Sequence, residues 1–120
     1  MTREALLEHV PLKAEQIHRI EGELEPEEAA ARYESELRSS FRLEDAESPR
    51  FDLVALGLGE DGHTASLFPG TEALEETSRL ATANYVPQKD AWRIAHLASD
   101  QLRQLGLFPR FGGRQSQCIE

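Results

Sequence analysis

The sequence predicts an α/β fold built around a mostly parallel sheet. Three observations predict it: an amphipathic helix over residues 26–41, a polar connection over 43–50, and a short apolar run, FDLVALGLG, that ends in glycines. A helix followed by a loop and a strand apolar on both faces is the pattern of a sheet covered on both sides. Ligands in such sheets sit at the carboxyl ends of the strands, where these glycines fall.

Taken in order, residues 2–10 read as a short helix, with Thr2 as its N-cap, Leu6 and Val10 on one face and Pro11 beyond its end. Residues 12–20 show no clean period, and Gly22 and Pro26 bracket a turn. The helix over 26–41 opens with Pro26, and Glu27 and Glu28 complement the positive end of its dipole. Ala30, Tyr33, Leu37 and Phe41 recur at spacings of three and four, which gives one apolar stripe. Glu34 and Arg38 form an i,i+4 pair that we place on the solvated side. Residues 71–78 read as a polar turn or helical piece, and 79–85 and 91–95 as two short strands with Pro87 between them. The tail LRQLGLFPRFGGRQSQCIE has no period and reads as loop.

The composition bounds the function classes. The chain has 120 residues, 39% hydrophobic and 29% charged, enough for one small domain. A net charge of −9 argues against nucleic acid or an anionic membrane as partner. Three arginines against two acids give residues 95–120 a charge of +1, so residues 1–94 carry −10. No apolar run approaches the roughly 20 residues of a membrane span, and the N-terminus lacks an apolar export signal. The expected compartment is cytoplasmic. Cys118 stands alone, so it forms no internal disulfide and no metal site by itself.

The chemistry is concentrated in one stretch, GLGEDGHTASLFP. Gly57, Gly59 and Gly62 follow the predicted strand and let backbone approach a ligand closely. Their spacing matches G-x-G-x-x-G, but Pro69 falls seven residues after Gly62, leaving no room for a long helix, and the acid that the dinucleotide fingerprint needs about 20 residues on is missing. His63 follows the glycine turn, flanked by the hydroxyls of Thr64 and Ser66, and its imidazole suits proton transfer near neutral pH. Asp61, two residues earlier, is placed to orient the ring. On these residues alone, His63 is either a proton-transfer group or a surface or capping histidine. His9, His18 and His96 have no comparable setting. Ser66 does not lie in G-x-S-x-G, so a nucleophile elbow is absent. No second His, Cys or carboxylate has metal-ligand spacing to His63, so neither metal nor cofactor is expected.

The stretch FDLVALGLGEDGHTASLFPGTEAL resembles the hallmark of the 6-phosphogluconolactonases, in the family they share with the glucosamine-6-phosphate isomerases. Upstream, EALLEHVPLKAEQIHRIEGELEPEEAAARYESELRSSF is similar to the segment preceding that strand in the lactonases. The isomerases carry an acid shortly after the histidine, where this chain has Ser66-Leu67-Phe68-Pro69, so the lactonase type is favoured. The resemblance implies a three-layer α/β/α, Rossmann-like domain, here partial. It implies hydrolysis of 6-phospho-D-glucono-1,5-lactone to 6-phosphogluconate in the oxidative pentose phosphate pathway, with a small sugar-phosphate lactone as partner. His63 would be the general base and Asp61 its support. Gly57, Gly59, Gly62, Thr64, Ser66 and Arg93 would contact substrate, and we expect N–H groups around Gly59 and Gly62 to stabilise the oxyanion. An isomerase-like enzyme or a non-catalytic remnant are the alternatives. The sequence leaves oligomeric state open.

The resemblance covers residues 1–94. Two family features that would precede Met1, a Gly-rich phosphate loop and an acid-arginine segment, are not in the sequence, nor are the isoleucine-asparagine and S-G-x-x-K-A runs expected after Ile94. We therefore expect residues 1–94 to be a fragment of a lactonase domain and 95–120 a tail outside the family. Codons can be chosen for residues 97–103 and 111–116 so that a one-base shift reads W-R-A-I-N-S-A and S-G-A-G-K-A, which points to a frameshift near Ile94. The isolated chain is expected to be marginally stable and inactive.

Overall fold

A computed structural model describes residues 2–96. The elements in chain order are a short helix α1, Thr2–Ala5, a long helix α2, Pro26–Phe41, and two strands, β1, Ala81–Val86, and β2, Ala91–His96, with short 3-10 turns between them. The tail beyond His96 lies outside the described residues.

Helix α2 has the predicted bounds. Pro26 occupies the first turn, Glu27 and Glu28 follow it, and Arg42 closes the helix in the left-handed region at φ 54°. The Leu43 N–H reaches back to the Arg38 carbonyl at 2.9 Å, satisfying an end carbonyl that the helix leaves open. Ala29, Ala30 and Leu37 are buried. Glu34 differs from expectation: it does not face water. It pairs with Arg38 at 2.9 Å and also accepts from the Leu80 N–H at 3.3 Å, joining the helix to the entry of β1. The first helix is shorter than predicted. Its α-helical part ends at Ala5 and a 3-10 turn covers Leu7–His9, with no residue buried in either, so no packed face stabilises a longer helix.

The fold is α/β, as predicted, and the sheet among the described residues is a two-stranded antiparallel hairpin. Strands β1 and β2 pair antiparallel, from Ala81 opposite His96 to Val86 opposite Ala91. Residues 87–90 join them, far too short a link for the crossover that a parallel pair needs. The tight return is closed by Asp90 at φ 45° and by the Tyr85 hydroxyl donating to Asp90 Oδ1 at 2.6 Å. Among the described residues, the apolar run over 51–59 belongs to no strand. Leu53 is 84% and Leu58 80% exposed. A strand exists only through the ladder of a neighbour, and the ladder among the described residues joins β1 to β2.

The hairpin is nevertheless a middle layer. Directly opposite residues share a face, so Ala81 and His96 lie on one side and Thr82, Asn84 and Ala95 on the other. Tyr33 of α2 meets the His96 ring edge-on at 5.7 Å, Phe51 meets it from another side at 5.4 Å, and Phe51 meets Phe41 at 4.9 Å. The apolar stripe of α2 is thus read out as an aromatic seam. On the other face, Ala95 packs with Leu67 and Ala73 of the connecting segment. Among the described residues, half of the buried hydrophobic ones are alanines, and Val86 is the largest side chain fully removed from solvent. Such a core supplies limited apolar area at about 25 cal/mol per Å².

Candidate functional site

The segment after the exposed apolar run folds back on itself. The Gly62 N–H donates to the Gly59 carbonyl at 3.0 Å, and the Gly59 N–H donates to the His63 carbonyl at 2.9 Å. Gly62 sits at φ +79°, a conformation that side chains resist, and the His63 imidazole lies directly over Gly59. The two glycines therefore serve the turn itself. Both N–H groups are engaged inside the turn. Gly57, two residues earlier, is exposed with open space where a side chain would project.

Asp61 holds His63 twice. One carboxylate oxygen, Oδ1, accepts from the His63 backbone N–H at 3.2 Å and also pairs with ring Nδ1. The side-chain bond to His63 is the main reason that the Asp61 carboxyl titrates below its ordinary value, so it is ionised near neutral pH. With Nδ1–H donating to a carboxylate, the neutral ring presents Nε2 as its proton acceptor. His63 is partly exposed, its side chain at 27%. The other face of the ring is stacked on Phe68, with centroids 3.9 Å apart and planes at 16°.

The residues that follow are strained. Ala65 and Ser66 lie at φ 52° and 60°, between Thr64 and Leu67, which form an antiparallel bridge closed by Leu67 N–H to the Thr64 carbonyl at 2.8 Å. Two successive positive φ values are the signature of a type I′ turn, usually built from Asn and Gly. For other residues the left-handed region costs about 1–2 kcal/mol each. T-A-S-L carries no turn signal, so this bend was not legible.

Asn84 and Thr71 were also not singled out. Asn84, 2% exposed in β1, donates from Nδ2 to the Ser66 carbonyl at 3.0 Å and to Thr71 Oγ1 at 3.1 Å. Thr71 Oγ1 donates in turn to the Phe68 carbonyl at 2.8 Å. The available signal was an amide inside a strand otherwise suited to burial. Thr64 Oγ1 is buried without a hydrogen-bond partner among the described residues.

The structure thus unites Asp61, His63, Gly59 and Gly62 in one turn, with Thr64 and Ser66 on the strained bend beside it. Arg93 stands opposite Asn84 in the hairpin, on the sheet face that carries the bend. Its guanidinium lies against its own strand, Nη1 donating to the Trp92 carbonyl at 3.4 Å, and it makes no hydrogen bond to the His63 turn among the described residues. Other arginines are engaged by glutamates: Arg19 by Glu23, Arg32 by Glu21 at 3.1 Å, Arg38 by Glu34, and Arg79 by Glu27 at 3.3 Å. Among the described residues no group of three or more His, Cys, Asp or Glu side chains is arranged to hold a metal ion, and no helix is long and apolar enough to cross a membrane.

Residues 1–98 match the family described as glucosamine-6-phosphate isomerases/6-phosphogluconolactonase. The chain is 47% identical over 83 residues to a Synechocystis protein named 6-phosphogluconolactonase, covering 68% of this chain and 35% of that protein. It is 42% identical over 78 residues to the human protein of the same name, covering 65% of this chain and 30% of the human one. A crystal structure titled as that of the devB protein superposes at TM-score 0.68 and 33% identity, over 78% of this chain and 39% of that one. The chain spans about a third of the length of these curated relatives.

Proposed function

This chain belongs to the glucosamine-6-phosphate isomerase/6-phosphogluconolactonase family, and from that premise we propose that its site serves the hydrolysis of 6-phospho-D-glucono-1,5-lactone to 6-phosphogluconate. The observation that carries the reading is the Asp61–His63 pair, a carboxylate on Nδ1 of a partly exposed ring. In this reading Nε2 takes a proton from water, and the hydroxide formed adds to the lactone carbonyl. The tetrahedral adduct then expels the ring oxygen, which recovers the proton as the free hydroxyl of the acid. Positioned general bases contribute typically about 10²–10⁴-fold.

In the same reading, residues 51–59 form a strand of a parallel sheet, a role supported by their apolar character on both faces. A phosphate ester needs cations or aimed N–H groups. Arg19, Arg32, Arg38 and Arg79 are paired with glutamates, so among the described residues these four do not form a clamp for the phosphate beside the base. We expect no measurable turnover by the isolated chain. The compartment in this reading is the cytoplasm.

The test is a graft. Residues 1–94 replace the matching segment of the Synechocystis relative, and lactone hydrolysis is followed by release of acid. An active graft whose kcat falls about 10²–10⁴-fold in H63A, with KM little changed, supports the reading. An active graft indifferent to H63A ends it.

A further inference from the structure

The His63 ring is held from two sides, and the turn explains one of them. Asp61 fixes Nδ1, which leaves the ring free to rock about that contact. The second constraint is Phe68, stacked at 3.9 Å and itself 3% exposed. Phe68 follows two residues in the left-handed region, a bend that its local sequence does not favour. Something beyond the bend must over-determine it.

We propose that Asn84 and Thr71 are positioning residues for His63, fixing the Ser66 and Phe68 carbonyls and thereby the aromatic surface on which the imidazole lies. Asn84 Nδ2 divides its two protons between the Ser66 carbonyl, in the middle of the bend, and Thr71 Oγ1. Thr71 passes its own proton to the Phe68 carbonyl. The relay therefore clamps the bend at both of its loose points, from a strand of the hairpin. Asn84 and Thr71 are buried at 2% and 8%, so water does not compete for these bonds. Losing one partner strands a buried polar group and frees the bend to relax. The ring of Phe68 then shifts, and His63 loses the face that holds its plane. This inference rests on the reading of His63 as the base, but the geometry it asserts is independent of hydrolysis.

The test follows the His63 ring protons by NMR in the full chain. Stacked on Phe68, they resonate upfield of those of the exposed His9. In N84L and T71V this upfield displacement is lost, and in T71S, which keeps the hydroxyl, it is retained. Near-UV circular dichroism from the Tyr85–Trp92 pair, 5.4 Å apart in the hairpin, reports whether each variant is folded. A folded N84L or T71V with unmoved His63 resonances overturns the proposal. Should N84L fail to fold, T71V against T71S decides alone. In the active graft, N84L and T71V lower kcat about 10²-fold with KM little changed, the cost of an ångström-scale misplacement of the base. Resonances that move while kcat stays constant uphold the positioning and remove His63 from the chemistry.

Discussion

A methyl group on Gly59 would overlap Cε1 and Nδ1 of the His63 imidazole and come within 2.8 Å of Asp61 Oδ1. The ring lies where a side chain would otherwise project, so the smallest substitution at position 59 acts on the candidate base. Gly59→Ala is expected to break the Asp61–His63 contact and lower kcat in the active graft by about 10²-fold. Gly57→Ala, with open space at its Cβ, is expected to change kcat less than twofold. Equal effects at the two positions would show that the ring does not lie over Gly59.

His96 makes stability depend on pH. Its ring is half-buried against Tyr33 and Phe51, with Nε2 shielded and unpartnered among the described residues, and desolvation pushes its pKa below the ordinary 6.5. The unfolded chain takes up a proton as pH falls through 6.5, whereas the folded chain resists until lower pH. The unfolded state thus binds more protons in that window, and stability declines with acidification. Tm measured from pH 8 to 5 is expected to fall in the parent chain and to fall less steeply in His96→Phe. Parallel curves for the two proteins would contradict the half-buried neutral ring.

Glu76 acts in a lower window. One of its carboxylate oxygens accepts from the N–H groups of Thr77, Ser78 and Arg79 and from the Ser78 hydroxyl. These bonds, the Ser78 N–H foremost, lower its pKa from 4.5 to about 2. Its contribution is complete above 4.5 and is lost as pH falls toward 2. Glu76→Ala is expected to cost about 1 kcal/mol at pH 7 in urea titrations, a typical net value for such bonds. That difference should vanish near pH 2. A constant difference across the range would assign Glu76 a role other than accepting these bonds.

Core and surface are separated by a pair of substitutions. Val86 is fully buried, so Val86→Ala is expected to destabilise by roughly 2 kcal/mol, through lost burial and an unfilled space. Leu53 is 84% exposed, so Leu53→Ser is expected to stay within about 0.5 kcal/mol of the parent in the same measurement. A large cost at Leu53 would mean that the apolar run over 51–59 is packed in solution after all.

Legibility tracked the range of the forces involved. The bounds of α2 were readable because a stripe at spacings of three and four, Pro26 at the start and two acids in the first turn all act within a few residues. The two strands were readable as short segments on either side of Pro87, but their antiparallel register was not. Glu34 was misplaced because an i,i+4 partner is visible in sequence and a backbone N–H donor 46 residues away is not. At the site, Asp61 and His63 are two residues apart, so their pairing could be proposed from spacing. The stacking of Phe68 depends on a bend with no local signal, and the clamp on that bend comes from a different element.

By itself, then, the sequence determined the helix, the glycine turn, the histidine with its carboxylate and the family resemblance, all consequences of neighbouring residues and fixed spacing. Tertiary structure alone decided that the hairpin runs antiparallel, that residues 52–58 stand exposed, and that Asn84 and Thr71 reach the bend beside His63. The physical reason is that hydrogen bonds between distant segments and the burial of a face are settled by which surfaces meet, and no local pattern of side chains encodes that choice.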